Sequence, residues 1–204
     1  MSPSPPLISA KALNYLHDKD FLLTKRKTIR QLQQWLSETQ QALLTVANKH
    51  KNELPPHALQ RSAKISRGEN YHGLPYLVLD YPRLLSKEDV FSFRTFFWWG
   101  NYFSCTLHLQ GHSLRTFRPT LIESLPASSL PDDFASVNDT PWEYHFQPDN
   151  YRPLSSFKSN ELEELLDKDF FKISRKLPLE EYQQLPSFAR NCFQQYLRLL
   201  KIEA

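Results

Sequence analysis

The residues in this chain best suited to chemistry are Asp80, Arg94, Ser104 and His108, together with His72 in a loop bounded by glycines. Three kinds of site suggest themselves, and spacing tests each. Gly68-Glu-Asn-Tyr-His-Gly73 has the glycine spacing of a phosphate-binding P-loop, but Leu74 and Pro75 stand where Lys and Ser/Thr would meet phosphate and magnesium. That match is rejected. Ser104, His108 and Asp80 are the residue types of a hydrolase triad. On a strand, the four-residue step from Ser104 to His108 spans about 13 Å, far beyond hydrogen-bond reach. His72, His108 and His112, with Cys105 or Asp80, could ligate a metal, yet strand alternation sends Cys105 and His108 to opposite faces. There is no CxxC, HExxH or spaced acidic loop. Neither a metal nor a cofactor is expected, and each histidine reads as a hydrogen-bonded side chain at a strand end or an aromatic edge.

Asp80 and Arg94 carry a sharper expectation, because each sits among apolar neighbours inside a strand pattern. A lone buried charge is prohibitive, so the two are expected to pair with each other. Were Arg94 open instead, its planar fork would suit a carboxylate or phosphate.

The elements that position these residues centre on Phe91 to Leu109, two apolar-rich runs joined by Gly100-Asn101. Gly and Asn adopt positive φ at least cost, so a two-residue β-hairpin loop is predicted there. It sets Trp99 opposite Tyr102, Trp98 opposite Phe103, Phe96 opposite Cys105 and Arg94 opposite Leu107. Alternation then gives a core face of Arg94, Phe96, Trp98, Phe103, Cys105, Leu107 and Leu109. The mixed face carries Phe93, Thr95, Phe97, Trp99, Tyr102, Ser104, Thr106 and His108. Flat rings beside hydroxyls are the usual lining of a ligand site. Ser86-Lys-Glu-Asp89 resembles a capping box, which predicts one helical turn before a strand over 92–99.

Elsewhere the pattern predicts a short helix over 9–17 and a long amphipathic one over 20–49, with Ile29, Leu32, Leu36, Leu43, Val46 and Ala47 on its inner stripe. A short helix over 57–64 and strands over 74–81 and 114–123 follow. Next come a long loop over 124–140, a strand over 142–147, a helix from Asn160, an edge strand over 170–176 and a final helix from Pro186. The order is α+β, a central mostly antiparallel sheet with an aromatic hairpin, packed by N-terminal and C-terminal helices. A loose tail over 1–8 and one domain over 9–204 are expected.

Apolar residues make up 40% of the chain and charged residues 23%, an ordinary globular profile. No apolar run is long enough to cross a bilayer and the opening residues lack the order of a secretory signal, so no membrane partner and a cytoplasmic location are expected. Cys105 and Cys192 are too few for a disulfide framework and read as packed free thiols. The net charge of +3 is unevenly spread, with 11 basic against 4 acidic residues up to Arg67. Lys25, Arg26, Lys27 and Arg30, and Arg61, Lys64 and Arg67 at helical spacing, are more economically a solvated surface than a phosphate-binding stripe, which makes nucleic acid an unlikely partner.

No set of motifs is rich enough to name a family, and the sequence specifies no reaction. A non-catalytic domain that binds a small molecule or a protein is the leading expectation, with Arg67, His72, Asp80, Arg94, Tyr102, Thr106 and His108 as candidate ligand residues. An enzyme with a pocket around the 67–73 loop and the 92–109 hairpin, drawing on Glu69 as well, is the second. A weak nucleic-acid binder using the basic N-terminal third is the third.

Overall fold

Between residues 64 and 110 the chain is rich in the aromatic and β-branched side chains that pack on a pleated surface, and it folds as four consecutive antiparallel strands. These are β1 (Lys64–Tyr71), β2 (Leu74–Leu85), β3 (Asp89–Trp98) and β4 (Tyr102–Gln110). The computed structural model describes residues 7–60 and 62–202. Its remaining α-helices and strands are α1 (Ala10–His17), α2 (Lys19–Lys49), α3 (Gly111–Ala127), β5 (Asp133–Ser136), β6 (Tyr151–Pro153), α4 (Ser159–Leu166), β7 (Phe170–Pro178) and α5 (Leu185–Leu199). One seven-stranded sheet results, in the order β1-β2-β3-β4-β7-β5-β6 and antiparallel at every pairing. The fold is α+β. No helix among the described residues is long and apolar enough to cross a membrane.

The chain divides into two units, Met1–Gln34 and Trp35–Ala204. In the first, the Ser9 hydroxyl caps α1 by accepting from the Ala12 amide, and the Asp18 carboxylate accepts from the Phe21 amide as α2 begins. No residue of α1 is buried, and Leu13, Tyr15, Leu16, Phe21, Leu22 and Leu23 expose apolar side chains. Residues 7 and 8 of the expected tail are exposed, and residues 1–6 lie outside the described residues.

The second unit holds the sheet. One face carries Leu77, Leu79, Phe93, Phe97, Phe103, Leu107 and Ile173, all buried, with α3 and α5 packed over it. Phe93 meets Phe193 and Tyr196 of α5 at ring-centre distances of 4.9 and 6.2 Å. Cys105, on this face, and Cys192 of α5 are both buried and unbonded. The other face carries Asp80, Arg94, Phe96, Trp98, Tyr102, Thr106, His108 and Lys172, and an irregular segment around Tyr144 lies across it.

The predicted hairpin forms, but one residue out of the expected register. Trp98 pairs with Tyr102, Phe96 with Ser104, Arg94 with Thr106 and Ser92 with His108. The loop has three residues, because the Asn101 amide donates to the Trp98 carbonyl at 3.0 Å and Gly100, at φ +72°, occupies the position that such a turn reserves for positive φ. A one-residue slip exchanges the faces of one strand relative to the other. Arg94, Phe96 and Trp98 therefore share a face with Tyr102, Thr106 and His108, not with Cys105 and Leu107. The two-residue loop with positive φ at both positions lies one hairpin earlier, at His72 (+47°) and Gly73 (+79°).

Other expectations are corrected by tertiary contacts. Ser86 makes a tight turn into β3 rather than a helical turn, its hydroxyl accepting from the Asp89 amide at 2.9 Å. Residues 57–60 form turns and Lys64 opens β1, so no helix aligns Lys64 with Arg67; Arg61 lies outside the described residues. The span 114–123, expected as a strand, is the middle of α3 despite Pro119, and that helix takes up the first part of the expected long loop. Residues 142–147 form no strand, and β7 is an inner strand between β4 and β5, not an edge.

Gly111 starts α3 where β4 ends. Its φ is +64°, and a Cβ there would stand 1.8 Å from the Glu88 carbonyl oxygen. Left-handed backbone and backbone overlap both penalise a side chain. Gly111→Ala is expected to lower the free energy of unfolding by about 3 kcal/mol; an unchanged urea midpoint would show that the β4–α3 junction relaxes freely.

Candidate functional site

Irregular backbone is rarely buried, because its amide and carbonyl groups need partners. The segment over 141–150 solves this with side chains from the sheet beneath. Lys172 Nζ donates to the carbonyls of Pro141 and Glu143 at 2.9 and 2.6 Å. The Tyr71 hydroxyl accepts from the amides of Tyr144 and His145 at 2.6 and 2.9 Å, and donates to Glu143 Oε2 at 2.9 Å. Tyr102 donates to the Tyr144 carbonyl, and Asn150 Nδ2 to that of His145. Tyr144 itself stacks on Phe96 at 5.3 Å.

Arg94 and Asp80 pair as expected, through Nε to Oδ1 at 2.7 Å and a second guanidinium nitrogen to Oδ2 at 2.9 Å. The remaining fork of Arg94 donates to the Tyr144 hydroxyl at 2.7 Å. Both partners lie beneath the segment and their charges are spent on each other. His108 is also covered, edge-on to Trp142 and Phe170, and its Nε2 finds no hydrogen-bond partner among the described residues. Burial first, then the nearby Lys172 and Arg94 charges, push its imidazole down to about 3. Burial and Arg94 likewise push the Lys172 ammonium down to about 7, against opposition from Glu143. Thr106 is buried against Ser174, hydroxyl to hydroxyl at 2.7 Å. Arg67 is exposed and pairs with Leu77, so its side chain belongs to the opposite face from Asp80 and His108. The structure thus places Asp80, Arg94, Thr106 and His108 together on the covered face, outside any open cleft that they line, with Arg67 on the opposite face.

It does gather His72 and Tyr102. Both line a half-open cleft of about 430 Å³ with Trp98, Asn101, His145, Phe146, Gln147, Asp149 and Lys176. The tips of the β1–β2 and β3–β4 hairpins form one wall and the 145–149 stretch the other. Tyr102 and Phe146 meet edge to face at 5.3 Å. Lys176 is exposed, its Nζ 5.9, 5.2 and 5.1 Å from the ring centres of Tyr102, Phe134 and Phe146. No carboxylate pairs with it among the described residues. At the opposite side, Glu143 Oε2 is 3.0 Å from His72 Nε2 and 3.6 Å from His145 Nε2. Burial raises the Glu143 carboxyl, but hydrogen bonds from His72 and Tyr71 outweigh it and hold the group below the usual carboxylate range. These three side chains bring one donor atom each within 4.8 Å of the others, a different set from the His72, His108 and His112 that the sequence suggested.

Glu143, His145, Phe146, Asp149 and Lys176 were not legible as site residues in the sequence. Glu143 and His145 stand two apart, which reads as one face of a strand; both do meet His72, but from an irregular, partly buried loop. No protein-family model, curated protein or solved structure matches this chain.

Two outcomes follow from the covered layer. Arg94→Ala leaves Asp80 and Tyr144 without their partner in a buried place, an expected loss of about 3–5 kcal/mol in urea unfolding; an unchanged melting temperature would mean that the pair bears no structural load. His108 has a folded-state value below its unfolded one, so below about pH 6.5 the unfolded chain takes up a proton that the fold refuses. Stability therefore falls as pH drops from there toward about 3. His108→Phe is expected to remove about 2 kcal/mol of the loss between about pH 6 and pH 4, and parallel stability curves for the two proteins would refute it.

Proposed function

We propose that this is a non-catalytic binding protein whose ligand is a small acid carrying a planar ring, held in the cleft between the hairpin tips and the 145–149 stretch. Lys176 carries the reading: an exposed cation stands beside three aromatic rings, and no carboxylate pairs with it among the described residues. Such a cation recruits a carboxylate or phosphate, while Tyr102, Phe146 and Trp98 offer apolar ring surface to the rest of the molecule. The cleft volume falls in the range of small-molecule sites, which combine ring-lined walls with a few polar groups.

A second reading, an enzyme, is favoured by one observation. The cleft lies at the tips of the two hairpins expected to frame a pocket, and it is lined by His72 and His145, with Glu143 behind them. Turnover of that compound separates the two readings. Nucleic-acid binding has less support, since Lys64 and Arg67 stand at an odd spacing on β1 and project from opposite faces.

Calorimetric titration with a panel of aromatic carboxylates and mononucleotides tests the reading. At least one is expected to saturate the protein, with Lys176→Met weakening it about tenfold, the loss of one charge-assisted contact. Equal affinity in Lys176→Met, or no saturation below about 1 mM by any member, would overturn it.

A further inference from the structure

We infer that His72, Glu143 and His145 bind a divalent first-row transition metal, zinc being the ion that two imidazoles and a carboxylate suit best. The inference goes beyond the organic ligand proposed for the cleft and does not require it. One donor atom from each residue lies within 4.8 Å of the other two. Around a tetrahedral ion with bonds of about 2.0–2.1 Å, donor atoms stand about 3.3 Å apart. The His72–Glu143 and His145–Glu143 distances of 3.0 and 3.6 Å bracket that value, so only the two histidines need to close up.

Three further features support a built site. The Tyr71 hydroxyl, anchored by two backbone amides, donates to the same Glu143 oxygen and so fixes the carboxylate. His72 occupies a left-handed conformation, φ +47°, that a β-carbon disfavours. Gly or Asn would satisfy the turn more cheaply; a histidine there keeps its imidazole against Glu143. Finally, both imidazoles line the cleft, so the position that three protein ligands leave open on a tetrahedral ion adjoins a solvent-accessible space.

Loading requires His145 to coordinate through Nε2 with its proton on Nδ1. At present the Gln147 amide makes a long 3.4 Å contact to Nδ1, and Asp149 Oδ1 stands 3.9 Å away. Metal binding replaces the first contact with the second, a shift within the exposed end of the segment. His112, exposed on α3, takes no part.

The test uses the full chain, stripped with a chelator and titrated with CoCl2 or ZnCl2 alone. Co2+ is expected to give a visible d–d band at one equivalent, displaced by Zn2+. His72→Asn keeps the turn conformation, since Asn tolerates positive φ; it should melt no lower than the parent, yet bind Co2+ at least tenfold more weakly. His112→Asn should bind as the parent does. In the parent, Co2+ should shift the ring N–H resonances of two histidines. No band, a band unchanged in His72→Asn, or fewer than two shifted imidazoles would each overturn the site. Because no organic compound is present, this result stands apart from the ligand titration.

Discussion

The structure of the sheet unit depends on how an irregular segment can be buried against a strand face that is itself half polar. A helix would satisfy its own backbone and need nothing from the sheet. The stretch over 141–150 cannot, so the sheet supplies what it lacks: Lys172 for two carbonyls, Tyr71 for two amides, and Tyr102 for one carbonyl. Arg94 completes the arrangement, since its fork is shared between Asp80 on the neighbouring strand and the Tyr144 hydroxyl above. Each polar group is expensive to bury alone and tolerable only with the others in place. The low value of Lys172 is the residual sign of that cost, an ammonium placed under Tyr144 and near a guanidinium.

The two faces solve their packing differently. On the helix side the layer is mostly hydrocarbon, with Phe93 of β3 against Phe193 and Tyr196 of α5, and its main charged group is Asp133, held by Arg175 and by the Tyr196 hydroxyl. Tyr196 comes from α5, so this one carboxylate ties the last helix to β5 and β7. On the segment side, directed polar contacts stand among the ring contacts. Directed hydrogen bonds to named carbonyls permit one register only, and they place His145 and Phe146 at a defined height above the hairpin tips.

Much of this was legible in the sequence and part of it was not, for separable reasons. Amphipathic stripes placed α2 and α5, a capping-box start with three leucines placed α4, and the buried pairing of Asp80 with Arg94 followed from two charges in apolar runs. Loop length at Gly100 was not legible, because Gly-Asn serves a two-residue or a three-residue turn equally well; in the structure Trp99 also donates its amide to the Pro75 carbonyl on β2, a tertiary contact that local sequence does not announce. The three-residue loop sets Tyr102, Thr106 and His108 on the same face as Arg94. Helix α3 was misread because Pro119 and a Thr-Phe-Arg run weaken local propensity, while Leu114, Leu121 and Leu125 bury its inner side. Glu143 and His145 were overlooked because neither their spacing nor their neighbours announce a loop that folds back over a sheet.

The position of the cleft follows from the same constraint. The covering segment is held most tightly at its centre, where Tyr144 meets Phe96 and Arg94, and its contacts thin toward Gln147 and Asp149, both exposed. The strands also end there: β1 turns at His72 and β3 at Trp99, so the sheet surface stops while the segment continues. A gap must open where a rigidly seated loop overhangs the tips of two hairpins. Its walls are inherited from the packing, rings from the aromatic face and imidazoles from the turn and the loop. Lys176, one residue pair beyond the buried Ser174 along β7 and across from Ser104, supplies the cation at its edge. Rigidity beneath and exposure above are the conditions a binding site needs, since the residues that meet a ligand are then positioned by others that never touch it.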